Sequence, residues 1–320
     1  MELSKENVIN SQNKIFIDGE KKYLKGNLHT HTTKSDGKYS LDEVLGIYQE
    51  NDYDFIGITD HDVFCNENVN SDIVLLHGIE VSCMYRGKDK NKGEYAHFSC
   101  FSPYDNKNNK IYYYENVLEL QQNINKLKEK YCLVQFNHPL FSKFLDNEFI
   151  SFEGYDLIEV YNHKDFREET GMQNAEQLIR TLLNNHKKVI ITAGDDFHGP
   201  YKKIKNDKCN GGYIMVEANK NELDIINAIK SGKFYATTAP KILDYRIEEG
   251  ILKITTSPVK NIIFYSNMRK CKNIFDENDK EIISGQYELK GDEFYIWVKV
   301  IDKNGKIAWT QPLYIEKNIL

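Results

Sequence analysis

The sequence lacks several features that would mark other classes of protein. No run approaches the roughly 18 apolar residues of a membrane-spanning helix, so a membrane partner is not expected. The first residues, MELSKENVINSQNK, are polar and do not resemble an export signal, which favours a cytoplasmic location. The six cysteines include no CxxC pair, so buried free thiols are expected rather than disulfides or a zinc knuckle. A net charge of −6 argues against a long nucleic-acid duplex as partner.

The composition is that of an ordinary globular protein. Hydrophobic residues make up 40% and charged residues 28% of 320 residues, which argues against disorder. The length allows one large α/β domain with a small appendage, or two medium domains. The length and composition do not indicate the oligomeric state.

Between Leu24 and Val216, short apolar runs alternate with polar helical stretches. Such alternation predicts βαβ units and a mostly parallel sheet, and seven or eight units favour a closed barrel over a doubly wound sheet. The apolar runs are LKGNLHTH, FIGIT, IVLLHGIEVS, AHFSCF, LVQFNHP, LIEVYN, VIITAGDDFH and YIMVEA. The predicted helices are 41–50, about 115–130, about 168–186 and 221–231.

After Pro240 the pattern changes to strands joined by Glu-Glu-Gly, Lys-Gly-Asp and Lys-Asn-Gly turns. We therefore predict a small all-β accessory domain at 241–320, a main domain at 24–240 and an N-terminal extension at 1–23. No histidine lies in 241–320, so the chemistry of the histidines belongs to the main domain.

Residues with metal-binding side chains recur where the predicted strands end. His29 and His31 are two apart on a strand, so both side chains point to one face. The carboxyl ends of the strands of a parallel barrel face one rim, where active sites lie. The residues expected to meet there are His29, His31, Asp36, His61, Glu80, His97, His138, Asp196 and His198.

Imidazoles and carboxylates without a thiolate form a ligand set for borderline divalent ions. Zn²⁺, Mn²⁺ and Fe²⁺ suit such ligands, whereas Ca²⁺ prefers oxygen ligands alone. Without a metal, the carboxylates would take up protons and imidazolium groups would repel one another. The residues therefore predict a divalent metal site.

The motifs GNLHTHTTKSDG, ITDHD, GIE, NHP and GDDFHG resemble, in order, those of the PHP (polymerase and histidinol phosphatase) metallohydrolases. The resemblance covers roughly residues 24–240. With AHF and AIKSGKFYATTAPK, it is closest to the CehA/McbA-like group, whose named members cleave aryl carbamate esters. It implies a distorted (β/α)7 TIM-like barrel with two or three divalent ions (Mn, Zn or Fe).

The resemblance also implies which residues hold which ion. Its three ligand groups are His29, His31 and Asp196 for one ion, bridged by Glu80 to a second held by His138 and His97, and Asp36, His61 and His198 for a third. For His97 a role as proton donor stays open beside that of ligand. Asp195 stands where relatives commonly have a small residue, and it would either tune the site or cap a helix.

The implied chemistry is attack by a hydroxide that bridges two metals. Ions sharing Glu80 would share a water and lower its pKa, so that hydroxide attacks phosphorus or a carbonyl carbon. Nearby cations would neutralise the developing charge, and a histidine would protonate the leaving oxygen. The candidates for these roles are His97, His163, Arg86 and Arg167, with Lys88 and Lys164 as further cations.

Three functions are consistent with this site. The first is a phosphoesterase that cleaves a small phosphate ester or nucleotide. The second is a carboxylic or carbamate ester hydrolase, which would require an apolar pocket rather than one lined by cations. The third is a metal-binding module without catalysis, which would be expected to have lost ligands. The complete set of ligands favours a metal-dependent hydrolase.

Overall fold

The computed structural model describes residues 8–9, 14–88, 95–104, 111–200, 209–267 and 271–315. Its α-helices are α1 (Leu41–Gln49), α2 (Val117–Lys130), α3 (Asp146–Ser151), α4 (His163–Arg167), α5 (Glu176–Asn184) and α6 (Glu222–Lys230). No helix in these ranges is both long and apolar enough to cross a membrane.

β-Strands contain more of the described residues than helices do. The strands that precede α6 are β1 (Val8–Ile9), β2 (Lys14–Ile17), β3 (Leu24–Asn27), β4 (Phe55–Ile58), β5 (Val74–Tyr85), β6 (Tyr95–Phe101), β7 (Tyr112–Tyr114), β8 (Leu133–Phe136), β9 (Leu157–Asn162), β10 (Ile190–Gly194) and β11 (Tyr213–Val216). Those that follow it are β12 (Phe234–Thr237), β13 (Ile242–Glu248), β14 (Ile251–Val259), β15 (Asn261–Ser266), β16 (Cys271–Ile274), β17 (Ile282–Glu288), β18 (Tyr295–Ile301), β19 (Ile307–Trp309) and β20 (Leu313–Ile315).

The predicted elements of the main domain are largely confirmed. Each predicted apolar run contains a strand, and β4, β8 and β9 are buried along their whole length, as expected for strands covered on both faces. Helix α1 begins with a capping box formed by Ser40 and Glu43. The helix predicted at about 168–186 is shorter, because the segment before α5 pairs with β9 through Asn174.

The predicted (β/α)7 barrel is not confirmed, because the hydrogen-bonded sheet is open and mixed. The sheet runs β1-β20-β18-β19-β12-β11-β3-β4-β5-β6-β8-β9-β10, so β10 ends the path. Outside the paired strands, the residues after β10 contact the residues after β3 at one isolated bridge, between Thr30 and Phe197. Strand β6 is antiparallel to both β5 and β8. The connection from β5 to β6 is too short for the crossover that parallel strands need.

The C-terminal region is all-β among its described residues, but an independent all-β domain is not confirmed. Strand β19 pairs with β12 and so continues the main sheet, while β2 pairs with β13 in a second sheet, β17-β14-β13-β2. The Gln311 side chain also bonds both backbone groups of Ile191. The domain boundaries at 24 and 241 stay predictions.

The cysteines are free thiols, as predicted. Four are buried and one, Cys271, is exposed. The main hydrophobic core joins both regions of the chain, since Trp297 and Trp309 pack with residues of α5 and β10.

Candidate metal centre

The structure brings all nine predicted metal ligands together. Most of them follow a strand: His29 and His31 follow β3, His61 follows β4, His138 follows β8, and Asp196 and His198 follow β10. Their ligand atoms form overlapping groups within 4.8 Å, namely His31/Asp36/His61/His198, His29/His138/Asp196, His29/His31/Glu80 and His61/Glu80/His97.

Two of these residues reach the cluster differently from the prediction. Glu80 does not end a strand, because β5 continues to Tyr85. His97 lies near the start of β6, opposite Ser82 of β5. Since β6 runs antiparallel to β5, the start of β6 lies where a parallel strand would end.

Glu80 is the centre of the cluster. Its carboxylate oxygens lie 3.1 Å from Nε2 of His29, 3.2 Å from Nε2 of His31, 3.2 Å from Nδ1 of His61, 3.2 Å from Nδ1 of His97 and 3.4 Å from Nε2 of His138. This single buried carboxylate belongs to two of the four ligand groups. The distribution of ligands among individual ions stays a prediction.

Asp196 is the second buried carboxylate of the cluster. Its Oδ1 lies 3.2 Å from Nε2 of His31 and 3.3 Å from Nδ1 of His198. Asp36 Oδ1 approaches Nε2 of His198 at 3.1 Å from the more exposed side. Asp36, His61 and His198 lie in one group, as the resemblance implied, but this group also contains His31, which the resemblance assigned to another ion.

The chemistry of these groups fits divalent metal ions. Within the described part of the chain, six buried atoms of the cluster make no hydrogen bond of acceptable geometry: Nδ1 and Nε2 of His31, Oε2 of Glu80, Nδ1 of His97, Nδ1 of His138 and Oδ1 of Asp196. Each such buried group costs about 1–3 kcal/mol when it has no partner. Metal coordination would satisfy them, and their nitrogen and oxygen character suits Zn²⁺, Mn²⁺ or Fe²⁺.

Electrostatic coupling dominates the protonation of the cluster. Burial raises the pKa of Glu80, but His29 and its other imidazole neighbours outweigh burial and hold that pKa well below its usual range. Burial lowers the pKa of His29, while Asp196 and Glu80 raise it by more. Burial lowers the pKa of His97 to about 4. Metal ions would therefore meet ionised carboxylates and displace protons from imidazoles such as His29.

Glu159 is a functional residue that sequence reasoning missed. Its Oε1 lies 2.9 Å from Nδ1 of His29, and its Oε2 accepts the backbone N–H of His138 at 2.7 Å. A Cβ at Gly194 would lie 2.5 Å from Glu159 Oε1, so the glycine leaves room for this contact. A glutamate inside the buried LIEVYN strand was the signal that could have revealed it.

We expect Glu159→Gln to weaken metal binding. A carboxylate that accepts the free N–H of a ligating histidine fixes the tautomer and orientation of its ring, and loss of such a contact costs about 10–100-fold in metal affinity. Competition with a chromophoric chelator measures the change. Glu176→Gln is the control, because Glu176 accepts from Trp309 Nε1 and pairs with Lys299, both at 2.8 Å, and belongs to none of the metal-ligand groups. Equal affinities in the two variants would contradict this role.

Asn137 bonds the cluster directly, and Asp60 bonds the residue that follows His31. The Asn137 Nδ2 group donates to Glu80 Oε1 at 2.7 Å and to Ser99 Oγ at 2.8 Å. Asp60 accepts from both the backbone N–H and the hydroxyl of Thr32 at 2.7 Å. Both side chains directly precede a predicted ligand, in the NHP and TDH motifs, but no separate sequence feature marks them.

A cleft of about 210 Å³ opens onto the cluster. Besides Asp36, His61, Glu80, His97, His138 and Asp196, it is lined by Tyr95, Phe141, Lys164, Asp165 and Glu168. Lys164 is the cation of this lining among the described residues, and its Nζ lies 3.3 Å from Nε2 of His198. Burial lowers the pKa of Lys164, but Asp196 and the other carboxylates raise it by more, so the amine stays charged.

Apart from His97 and Lys164, the predicted substrate contacts lie outside this lining. The guanidinium of Arg86 covers the ring of Tyr113 at 3.2 Å, and Arg167 is 4% exposed, with its guanidinium 6.0 Å from the Phe197 ring. His163 is buried, with Nδ1 3.2 Å from the Tyr161 hydroxyl. Helix α4 begins at His163, so its backbone curls away from the line of β9. Lys88 is exposed at the end of β5.

Asp195 neither caps a helix nor bonds a predicted ligand. No helix begins near it in the described chain. Its carboxylate accepts hydrogen bonds from Tyr48, Tyr53 and the backbone of 210–212. Its role is therefore to join parts of the fold.

Comparison with known proteins gives distant structural likenesses. No family model and no curated protein matches the chain. One similar structure is a two-domain Bacteroides vulgatus ATCC 8482 protein described as containing a predicted PHP-like metal-dependent phosphoesterase. It has 14% identity and a TM-score of 0.48, and the match covers 98% of this chain and 99% of that one. Another is a candidate metal-dependent phosphoesterase from Bifidobacterium adolescentis ATCC 15703, at 14% identity and TM-score 0.38, covering 57% and 91%.

A third is an amidohydrolase from Chromobacterium violaceum with bound sulfate and no metal, at 14% identity and TM-score 0.36. It covers 56% of this chain and 89% of that one. The closer resemblance to the CehA/McbA-like group stays a prediction.

Proposed function

We propose that this chain is a PHP-type metal-dependent hydrolase that cleaves small phosphate esters. The observation that carries the proposal is the Glu80 carboxylate, buried and within 3.4 Å of five imidazoles. Such a set would stabilise a structural core poorly, because six of its buried polar atoms make no hydrogen bond of normal geometry among the described residues. It has the composition of a catalytic site for two or three divalent ions.

The residues of the site have different roles in the proposed hydrolysis. Glu80 and Asp196 supply negative charge, and the surrounding histidines supply neutral nitrogen ligands. Bound divalent ions would supply Lewis acidity that activates water and stabilises charge on the substrate oxygens. Lys164 faces the same cleft and would bind a non-bridging oxygen of the substrate. His97, with a pKa lowered to about 4, is suited to be a ligand rather than a proton donor.

Hydrolysis of a carboxylic or carbamate ester is the second candidate, and the aromatic side of the cleft favours it. The ring of Tyr95 stacks on His97 at 4.3 Å and lies 5.5 Å from that of Phe141. Lys164 is the one lysine or arginine among the described residues that line the cleft, so its positive charge is limited. An uncharged ester would contact the rings of Tyr95 and Phe141 instead. A metal-binding module without catalysis is disfavoured, because all nine predicted ligands are retained and assembled.

One set of assays separates these functions. The purified chain with added Mn²⁺ is tested on p-nitrophenyl phosphate, bis-p-nitrophenyl phosphate and p-nitrophenyl acetate. The proposal expects metal-dependent turnover of a phosphate substrate in preference to the acetate. Preference for the acetate would favour the second candidate, and metal binding without turnover of any ester would favour the third.

Lys164→Met should reduce kcat/KM for phosphate esters by about 10–100-fold, because a hydrogen bond to a charged group contributes roughly 1.5–3 kcal/mol. Turnover of p-nitrophenyl acetate should be unchanged, since that ester carries no anionic oxygen for the amine to bind. Lys128→Met is the control, because Lys128 pairs with Asp156 away from the cleft. An equal loss on both substrates would show that Lys164 supports the site rather than the phosphate.

A further inference from the structure

The open sheet leaves a junction that no ladder closes among the described strands. We call the contact between the end of β10 and residues 210–212, which lead into β11, the seam. The two backbones are close there: a Cβ at Gly212 would lie 2.7 Å from the carbonyl oxygen of Gly194. The Asn27 side chain donates to the carbonyl oxygen of Gly212 at 3.1 Å from the β3 side. The seam is therefore tightly packed but lacks the hydrogen bonds of paired strands.

One carboxylate supplies hydrogen bonds across the seam. Asp195 is fully buried, and its Oδ1 accepts the backbone N–H groups of Gly211 at 2.7 Å and Gly212 at 3.0 Å. Its Oδ2 accepts the backbone N–H of Asn210 at 2.9 Å. Buried backbone donors need a partner, and an ionised acceptor makes the stronger hydrogen bonds. The Asp195 carboxylate thus accepts backbone N–H groups that a neighbouring strand would accept elsewhere in the sheet.

The same carboxylate is tied to the first helix. Its Oδ2 also accepts from the hydroxyls of Tyr48 at 3.1 Å and Tyr53 at 3.3 Å. Tyr48 lies on α1 and Tyr53 in the segment before β4. Five donors from three parts of the chain therefore converge on one side chain, and none of them belongs to a predicted metal ligand.

The next residue in the chain is a predicted ligand in an unusual conformation. Asp196 has φ of 48°, in the left-handed region that a residue with a side chain seldom adopts. Such a conformation persists where the surroundings fix it. The hydrogen bonds of Asp195 anchor the residue that precedes Asp196. The Asp196 side chain itself contacts His31, His198 and the Asn162 amide.

We propose that Asp195 is a positioning residue, which clamps the seam and so fixes Asp196 in the conformation that completes the metal cluster. The inference rests on the proposed function, because it requires the cluster to hold metal. This role would explain why an aspartate stands at position 195, where the PHP metallohydrolases commonly have a small residue.

The test compares metal affinity in two buried-carboxylate variants. Asp195→Asn should weaken Mn²⁺ binding by about 10–100-fold, the range found when a group that orients a ligand is lost. Glu293→Gln is the matched control, because Glu293 is equally buried and accepts from the Tyr287 hydroxyl and the backbone N–H groups of Lys290 and Gly291, far along the chain. Both variants should lower the unfolding midpoint, but Glu293→Gln should keep the wild-type affinity.

The outcomes are distinguishable. If wild type binds Mn²⁺ and Asp195→Asn binds it as tightly as Glu293→Gln does, the inference is overturned and the proposed function stands. If wild type binds no Mn²⁺, both are overturned.

A measurement on wild type serves if the asparagine variant does not fold. Coupling between two sites is reciprocal, so Mn²⁺ should slow hydrogen exchange of the Gly211 and Gly212 amides that bond Asp195. Exchange of these amides at the same rate with and without bound Mn²⁺ would overturn the inference.

Discussion

Replacing Glu80 with glutamine should reduce metal-dependent hydrolysis by about a thousandfold or more. Lewis-acid stabilisation is worth several kcal/mol, and each 1.36 kcal/mol corresponds to a factor of ten in rate. Glutamine keeps the size of the side chain but removes the charge that five imidazoles surround. The measurement is kcat/KM with saturating Mn²⁺, beside the metal content of the variant.

The control for this experiment is Glu222→Gln. Glu222 also contacts a histidine, with Oε2 2.9 Å from Nδ1 of His77, but that pair lies outside the cluster. This variant should retain wild-type activity. If Glu80→Gln hydrolyses the substrate as fast as Glu222→Gln, the assignment of Glu80 as the shared carboxylate is wrong.

Removal of metal should abolish activity and lower the unfolding midpoint by about 6 °C. Ligand at a thousand times its Kd stabilises the folded state by about 4 kcal/mol. With an unfolding entropy of about 2.1 cal/mol/K per residue, 1 kcal/mol shifts the midpoint of a 320-residue chain by about 1.5 °C. The physical reason is the group of buried cluster atoms that lack hydrogen-bond partners. Thermal unfolding followed by circular dichroism, with Mn²⁺ or with excess chelator, measures the shift.

The Glu80→Gln variant is the internal control for this shift. Its midpoint should respond little to the chelator, because it has lost the shared ligand. A wild-type midpoint that does not change between Mn²⁺ and chelator would contradict a metal site in this cluster. Restored activity after Mn²⁺ is added back would show that the chelator acted by removing metal.

Much of the candidate site could be predicted from local sequence. His29 and His31 are two residues apart at the end of an apolar run, and Asp196 and His198 repeat that spacing. Apolar runs of four to six residues also located the strands correctly, because buried strands need continuous apolar sequence. These features depend on neighbouring residues, which a single sequence displays directly.

Features that depend on distant parts of the chain were not predicted. The antiparallel course of β6 follows from a short connection that the run of apolar residues does not reveal. The open end at β10 and the continuation of the sheet through β12 and β19 arise from long-range pairing. Glu159 and Asp195 gain their roles from partners far away in sequence, since Glu159 contacts His29 and Asp195 contacts Tyr48.

The contacts of Arg86 and Arg167 also could not be predicted from local sequence. Position after a strand placed both near the expected rim, but Arg86 covers Tyr113 and Arg167 is buried near Phe197. A long side chain can reach several neighbours, and its position after a strand does not determine which one it contacts. Lys164, from the same group of candidates, is the one that lines the cleft.

Metal content is the most direct test of the central claim, that Glu80 and the residues around it hold divalent ions. Wild-type protein and Glu80→Gln are loaded with Mn²⁺, freed of excess by gel filtration and measured by inductively coupled plasma mass spectrometry. We predict two or three ions per wild-type chain and a clear loss in the variant. Less than one ion per wild-type chain, or the same content in both proteins, would contradict the account.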